Sequence, residues 1–424
     1  MQSPQTRSGG GRSAGSEASP GVRILRPWMA CARRRDLRDP PSRDRGVVGR
    51  NDGGADVTRC VRVGVVGTGW GANVQVPAFR LVDGFEVVAL CARRPESVQA
   101  AAARTGIDDT STDFDSFVRR DDLDLIAIAT PVALHHPMTM AALEAGKHVL
   151  VEKPMAVTAQ QCREMAAAAE RTGTVTAVCF ELRWTPPRAK IRSLVEAGFV
   201  GEPFWVRLSE TGYYAHPSHP NQALWMYDAA QGGGFLNGTL SHDIDFVCSL
   251  FGPPKAVFAE VHTAITRREP PGGPVVEVTS DDTDVVLMRM ADGGLVMLSM
   301  AATSVDRADG TFEVFGRSGT ITADVQPRSP AATIVGSQPG QLRQDLPVDD
   351  RMPASGRSLP ARRAAPLIRA VALMLEDWLP AFAGEPTPSK VPSFADGLLV
   401  QEIMEAARES SAGGMWIELG SGSR

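Results

Sequence analysis

The sequence predicts an α/β domain built on a doubly wound parallel sheet, followed by an α+β domain with a large open antiparallel sheet. Three observations support this prediction. Short strands that are apolar almost throughout alternate with helical segments between Val61 and Phe180, a pattern typical of a parallel sheet covered on both faces. A glycine-rich turn separates the first strand from the first helix. Later strand candidates follow one another without a convincing helix, which favours antiparallel meanders.

The first half contains five strand candidates, each a short run of β-branched and aliphatic residues. They span Val61–Val66, Phe85–Cys91, Leu123–Ala129, His148–Val151 and Val175–Phe180. Proline at a helix start or glycine at a helix end marks several of the helices between them. We predict helices through Phe79–Leu81, over Pro95–Arg104, around Ala133–Ala145 and over Thr158–Arg171.

The second half is dominated by strand candidates. They span Phe204–Ser209, Ala256–Val261, Thr283–Met288, Leu295–Ser299 and Phe312–Phe315. Residues 325–362 are rich in Pro, Gly, Ser and Arg, which predicts a long excursion. Two helices, near Ala364–Phe382 and Phe394–Ser410, are expected to return and pack on the first domain.

Composition excludes several classes of protein. The 424-residue chain has 43% hydrophobic and 22% charged residues, which is typical of a globular protein long enough for two domains. It lacks an apolar run of about 18 residues, and its formal net charge is -5, so we expect neither a membrane nor nucleic acid as a partner.

Cysteine and histidine usage points to a cytoplasmic protein without a metal site. The six cysteines are scattered and include no CxxC pair, so neither a disulfide framework nor a structural zinc site is predicted. His136, His216 and His219 lack the neighbouring ligands that a metal site needs.

The first sixty residues differ from the remainder. They hold twelve arginines, no lysine and six acidic residues, and they are rich in Gly, Ser and Pro. We expect residues 1–58 to form a disordered Arg/Gly/Pro-rich tail. An upstream mis-assigned start, with translation beginning near Met29 or Val57, is an alternative. Twin-arginine export through Arg33-Arg34-Arg35 is less favoured because no apolar segment follows.

A dinucleotide fingerprint lies between the first strand and the first helix. It comprises Gly67, Thr68, Gly69, Trp70, Gly71 and Ala72. Gly67 permits the tight turn, Gly69 lets the backbone approach a pyrophosphate, and Ala72 lets helix and strand touch. The N-terminus of the helix then favours the phosphate. A chance glycine turn is the alternative interpretation.

The end of the second strand favours NADP over NAD. An acidic residue normally binds the ribose 2'-hydroxyl of NAD here, but the sequence reads Cys91-Ala92-Arg93-Arg94. The guanidinium groups of Arg93 and Arg94 are suited to a 2'-phosphate. Alternatively both are solvated loop charges and either cofactor is accepted.

Three further motifs make a family resemblance specific. They are Ala129-Thr130-Pro131-Val132-Ala133-Leu134-His135, Glu152-Lys153-Pro154, and Gly232-Gly233-Gly234 leading to His242-Asp243-Ile244-Asp245. From about residue 61 to 419 the sequence resembles the glucose-fructose oxidoreductase, inositol dehydrogenase and MocA family. The resemblance implies a Rossmann domain followed by an α+β domain. It also implies NAD(P)-dependent oxidation or reduction of a sugar, polyol or related secondary alcohol.

Domain limits follow from these motifs. We expect a tail over 1–58, an NAD(P)-binding Rossmann domain over 59–182, an α+β substrate and oligomerisation domain over 183–365, and returning helices over 366–424. The resemblance implies a homodimer or homotetramer formed through the open sheet.

The resemblance also assigns candidate site residues. Lys153 is the candidate cation beside the reacting oxygen, and His242 is the candidate general acid/base. Cofactor contacts are expected from Thr130, Pro131, His135 and Glu152, and substrate contacts from Arg183, Trp184, Trp225, Asn237 and Asp245. For the tryptophans, ordinary packing is the alternative. Glu152 could instead pair with Lys153, bind nearby backbone or be a solvated loop acid. Asp245 could instead orient the His242 ring or cap or solvate the helix. Many relatives have an aspartate four residues before the histidine, but this chain has Gly238.

Two other functional classes remain open. Some relatives cleave glycosidic bonds by transient oxidation with a retained NAD, and the family also includes a non-catalytic nucleotide-responsive regulator. The presence of Lys153 and His242 favours catalysis over regulation.

Overall fold

The first domain is a parallel sheet. The computed structural model describes residues 60–217, 219, 224–269, 274–306, 308–326, 333–362 and 364–420, so the predicted tail lies outside the described residues. The strands of this sheet are β1 (Val61–Val66), β2 (Phe85–Cys91), β3 (Thr110–Ser111), β4 (Leu125–Ile128), β5 (His148–Glu152) and β6 (Thr176–Cys179). They lie in the order β3-β2-β1-β4-β5-β6, and every neighbouring pair is parallel. The doubly wound prediction is therefore confirmed.

Helices cover both faces of this sheet. The α-helices of the described residues are α1 (Val76–Phe79), α2 (Pro95–Thr105), α3 (Phe114–Val118), α4 (His135–Glu144), α5 (Ala159–Thr172), α6 (Pro186–Glu196), α7 (Ser241–Phe251), α8 (Ala365–Trp378) and α9 (Phe394–Gly413). Thr158 forms a capping box with Gln161 at the start of α5, which satisfies free N–H groups of the first turn. Gly173 ends that helix in the left-handed conformation.

The second domain is a mixed sheet with one parallel pair. Its strands are β7 (Pro203–Thr211), β8 (Pro254–His262), β11 (Thr283–Met290), β12 (Leu295–Ala301), β13 (Asp309–Gly316), β14 (Thr320–Asp324), β15 (Ile334–Ser337), β16 (Gln344–Asp345) and β17 (Ile417–Glu418), with a separate ribbon of β9 (Arg267–Arg268) and β10 (Val276–Glu277). Their order is β16-β15-β14-β13-β7-β12-β11-β8-β17. The prediction of a simple antiparallel meander was wrong at one place. There β7 inserts between β12 and β13 and runs parallel to β12. The expected excursion over 325–362 contains β15 and β16.

The cores connect the two sheets. α8 packs in a cluster with β1 residues such as Val63 and Val65. α9 lies in a second cluster that joins Ile126 of β4 to Leu298 of β12. This continuous packing fixes α7 near the ends of the parallel strands. Among the described residues, no helix is long and apolar enough to span a membrane.

Candidate active site

The candidate residues converge at one edge of the parallel sheet. Gly67 follows β1, Thr130 follows β4, Lys153 follows β5 and Glu181 follows β6. The strand order reverses between β1 and β4, and ligands of open α/β sheets bind in the crevice outside the carboxyl ends at such a point. The fold therefore places the predicted motifs where a nucleotide site is expected.

The glycine turn has the shape of a phosphate cradle. Gly67 has a φ of 115°, and a Cβ there would lie 2.2 Å from the Ala129 oxygen. A Cβ on Gly71 would lie 2.8 Å from Val65 Cγ1, so the helix touches the strand. Around Gly69, in contrast, no atom of the described residues beyond its two chain neighbours lies within 4 Å of the Cβ position. The turn is thus sterically fixed while its middle is open to a ligand, and the chain fits a dinucleotide pyrophosphate.

The other fingerprint residues surround this opening. Thr68 and Trp70 are half-buried and Ala72 is buried. The Gly71–Gln75 segment continues directly into α1, which leaves its first N–H groups available for an anion.

Glu152 and Gln75 join the turn to β5 from inside the protein. Gln75 Nε2 donates a 2.7 Å hydrogen bond to Glu152 Oε1, and both residues are buried. Burial raises the pKa of the Glu152 carboxyl, while the charge of Lys153 acts in the opposite direction. The predicted cofactor contact of Glu152 stays a prediction; the structure shows it holding neighbouring protein groups.

His135 connects the two loops that border the site. Its Nδ1 and Nε2 each lie 2.9 Å from a carbonyl oxygen, of Pro154 and of Thr130 respectively. Burial lowers the pKa of this imidazole. Pro131 is exposed beside Thr130. The ring therefore fixes the backbone around Lys153, and direct cofactor contact by His135 stays a prediction.

Lys153 and His242 are brought together across the two domains. Lys153 is half-buried, and its Nζ donates a 2.5 Å hydrogen bond to the Gly238 carbonyl oxygen. Gly238 lies in the helical segment Leu236–Leu240, which runs directly into α7 and so carries His242 one turn further. The position that lacks the family aspartate thus contacts the ammonium through its backbone.

The environment keeps His242 uncharged near neutral pH. Burial lowers its pKa well below the ordinary value of histidine, and the charges of Lys153 and Arg188 lower it further. A neutral imidazole has a free lone pair. His242 is therefore able to accept a proton beside the Lys153 cation.

Sequence reasoning missed Glu181. This residue follows the β6 strand and is 2% exposed. Its Oε2 lies 4.0 Å from His242 Nε2. Residues that directly follow parallel strands lie at the edge of the sheet where ligands bind. Glu181 follows β6 in the same way as the predicted residues follow β1, β4 and β5, so its position could have identified it.

Arg183 and Asp245 form a buried ion pair. Arg183 Nε donates a 2.6 Å hydrogen bond to Asp245 Oδ2, Nη2 binds the other carboxylate oxygen, and Nη1 donates to the Lys390 carbonyl oxygen. The side chains are 2% and 1% exposed. Their substrate contacts stay predictions, and this geometry favours a structural role.

The remaining predicted substrate residues are also engaged by the protein. Trp184 is buried in the α8 cluster and donates a 2.7 Å hydrogen bond to Asp377. Asn237 donates to the Gly232 and Gly233 carbonyl oxygens and accepts from Arg408, so it holds the triple-glycine loop. Trp225 is half-buried, and its substrate contact stays a prediction.

The end of β2 carries two cations whose side chains make no hydrogen bond or ion pair within the described part of the chain. Arg93 and Arg94 are exposed, and Arg94 is the N-cap residue of α2 without a side-chain cap hydrogen bond. Both lie at the same sheet edge as the glycine turn.

Comparisons with known proteins agree with this architecture. Residues 61–180 match the model of an oxidoreductase family with an NAD-binding Rossmann fold, and residues 189–322 match the GFO/IDH/MocA C-terminal domain. Levoglucosan dehydrogenase of Pseudarthrobacter phenanthrenivorans is 28% identical over 396 residues, covering 85% of this chain and 98% of that protein. The scyllo-inositol 2-dehydrogenase (NADP(+)) of Bacillus subtilis is 29% identical over 202 residues, covering 47% and 54%.

A solved structure extends the likeness to three dimensions. Levoglucosan dehydrogenase in complex with NADH superposes with a TM-score of 0.75 and 26% identity, covering 85% of this chain and 100% of that chain. The match therefore extends over both sheets.

Proposed function

Because the chain belongs to the GFO/IDH/MocA family of NAD-binding oxidoreductases, we propose that it transfers a hydride between a nicotinamide nucleotide and a secondary alcohol or ketone of a sugar or polyol. The observation that carries the proposal is the juxtaposition of the Lys153 ammonium with the neutral His242 imidazole at the carboxyl ends of the parallel strands. The sugar-type substrate is supported by the relatives that are named for levoglucosan and scyllo-inositol.

Lys153 and His242 have different roles at the substrate oxygen. A bound nicotinamide nucleotide supplies the hydride acceptor or donor. The Lys153 ammonium stabilises negative charge on the substrate oxygen, an effect that is strongest where water is excluded. His242 takes the hydroxyl proton during oxidation and returns it during reduction.

A substrate panel tests the proposal. Purified protein is incubated with sugars, polyols and sugar acids and with each oxidised nucleotide, and the ketone counterparts are incubated with each reduced nucleotide. We expect substrate-dependent change in the absorbance of the reduced nicotinamide. Absence of turnover across the panel, together with absence of nucleotide binding by calorimetry, contradicts the proposal.

Filling the open space at Gly69 is expected to abolish tight nucleotide binding without unfolding the protein. A Cβ at Gly69 meets no described residue beyond its two chain neighbours within 4 Å, so Gly69→Val places its methyl groups where the pyrophosphate is proposed to lie. We expect the dissociation constant measured by calorimetry to rise at least about 100-fold, or about 2.7 kcal/mol. Gly413→Val, at another exposed glycine with only ordinary contacts, is the matched control. Equal affinity of the two variants contradicts the assignment of the cradle.

We propose that NADP is preferred over NAD, since Arg93 and Arg94 are exposed and make no side-chain hydrogen bond within the described part of the chain. Replacing both by alanine is expected to weaken NADP binding about 30-fold and NAD binding less than about 3-fold, because hydrogen bonds between charged groups contribute about 1.5–3 kcal/mol. Calorimetry with both nucleotides measures the difference. The control replaces Arg171 and Arg343, which are exposed elsewhere. Equal losses for the two nucleotides refute the preference.

We also propose a cytoplasmic homodimer or homotetramer that associates through the second sheet. Val285 and Phe315 are 39% and 41% exposed, and strand alternation directs them away from the core. Sedimentation analysis tests the assembly, and a monomer contradicts it.

The unpaired thiols of Cys162 and Cys179 support a reducing compartment, which cell fractionation tests.

A further inference from the structure

The carboxylate of Glu181 lies inside the candidate site, but neither the charge stabilisation by Lys153 nor the proton transfer by His242 uses it. It begins a short helical turn directly after Phe180, and it is almost completely buried. Its Oε2 has no hydrogen-bond partner among the residues that the structure describes. Burial of an unpaired carboxylate oxygen is costly, so a functional explanation is warranted.

Glu181 faces one nitrogen of the His242 ring. Its Oε2 lies 4.0 Å from Nε2, while His242 Nδ1 is buried and likewise has no hydrogen-bond partner within the described ranges. The Phe180 ring packs edge-on against the imidazole, with centroids 5.7 Å apart, and restricts its rotation. Because Nδ1 is shielded, Nε2 is the nitrogen left for a substrate hydroxyl, with the hydrogen of the neutral ring on Nδ1.

Several charged and titratable groups surround this pair. Glu152 and Lys153 face it from the end of β5, Cys179 from β6, and Arg188 from α6. On α8, which packs against the same turn, Asp377 binds Trp184 instead. Lys153 and Arg188 both disfavour a positive charge on His242. Glu181 is the carboxylate whose oxygen is directed at the ring.

We infer, on the basis of the proposed function, that Glu181 is a positioning residue acting through His242: its ionised carboxylate stabilises the imidazolium that forms when the substrate hydroxyl loses its proton. During oxidation the O–H bond breaks, an N–H bond forms at Nε2, and the carbon releases its hydride with two electrons to the nucleotide. Nε2–H of the imidazolium then faces the Glu181 oxygen. Such contacts commonly shorten in the substrate complex.

This arrangement makes the basicity of His242 dependent on the protonation of Glu181. Burial and the negative charge of Glu152 raise the pKa of Glu181 to about 8. Below that pH the carboxyl is protonated and gives little charge compensation, whereas above it the carboxylate is present. Oxidation is therefore expected to accelerate as the pH rises through about 8.

A spectroscopic experiment tests the coupling without requiring turnover. The full chain carries 13Cε1-labelled histidine, and the His242 resonance is assigned by its loss in His242→Gln. We expect its chemical shift to show an inflection near pH 8 that disappears in Glu181→Gln and persists, at a shifted pH, in Glu181→Asp. Glu210→Gln is the matched control, because Glu210 is also buried with a pKa raised to about 8 by burial and Asp243, yet it binds Arg188. The inflection should survive in that control.

Kinetics separates this inference from the proposed function. With an active substrate, Glu181→Gln should lower kcat about 10- to 100-fold at about pH 9 and much less at about pH 6, with KM and nucleotide affinity within about 3-fold; Glu181→Asp should restore part of the pH dependence. An inflection that is absent from wild type, or that persists in Glu181→Gln, overturns the inference even if the enzyme oxidises sugars. A Glu181-dependent inflection without turnover or nucleotide binding supports the coupling and contradicts the proposed function.

Discussion

Replacing Lys153 by alanine is expected to lower kcat about 100- to 1,000-fold. The ammonium hydrogen-bonds the Gly238 oxygen beside the α7 segment that carries His242, so its removal deletes the cation proposed to stabilise the substrate oxygen in the transition state. The nucleotide dissociation constant should change little, because the glycine turn that is proposed to hold the phosphates lies on another loop. Steady-state kinetics and calorimetry measure the two effects.

The lysine at the other end of β5 provides the control. Lys147 precedes β5 and donates hydrogen bonds to the Arg120 and Leu123 carbonyl oxygens, at the opposite end from Lys153. Lys147→Met should lower the free energy of unfolding by about 1–3 kcal/mol and leave kcat per folded molecule unchanged. If Lys153→Ala retains wild-type turnover, Lys153 has no part in the chemistry.

Replacing Arg183 by methionine is expected to lower the free energy of unfolding by about 3–5 kcal/mol, because it leaves the Asp245 carboxylate buried without its cation. Even with Arg183 present, burial raises the pKa of Asp245 to about 6. Urea denaturation measures the loss.

The loss should depend on pH in a defined direction. The pKa of Asp245 is higher in the folded protein than in the unfolded chain. Its protonation therefore contributes fully to the free energy of unfolding below about pH 4, and this contribution is lost as the pH rises through about 6. Arg183 opposes that loss, so Arg183→Met should cost more at about pH 8 than at about pH 5.

A double variant distinguishes a structural role from substrate binding. Arg183→Met/Asp245→Leu should recover most of the stability, since well-packed apolar residues often replace a buried ion pair at little cost. If Arg183→Met instead keeps wild-type stability and raises KM for the substrate, the substrate contact predicted from the sequence is correct and the structural interpretation fails.

Local patterns predicted the first domain well. β1 and β2 have the predicted bounds, and α2 and α5 agree within one residue at each end. β3 escaped notice because its two residues carry no periodic signal. The second sheet was harder, since the position of β7 between β12 and β13 depends on pairing across about 90 residues.

In the candidate site too, some residues could be identified from the sequence and others could not. Residues that follow strands could be identified from the chain itself, because parallel strands end at one edge and the glycine turn has a conformational signature. Arg183 and Asp245 could not be assigned that way, since their partners are decided by how α7 packs.

The sequence by itself determined a nucleotide-binding parallel sheet, the family, and the residue types at the strand ends, because strand periodicity, turn geometry and ordered motifs are local properties of the chain. Tertiary structure decided which charges meet: Lys153 with the Gly238 carbonyl, Arg183 with Asp245, and Glu181 with His242. Those contacts join segments about 60 to 85 residues apart, and electrostatic interactions depend on distance and burial in space rather than on separation along the chain.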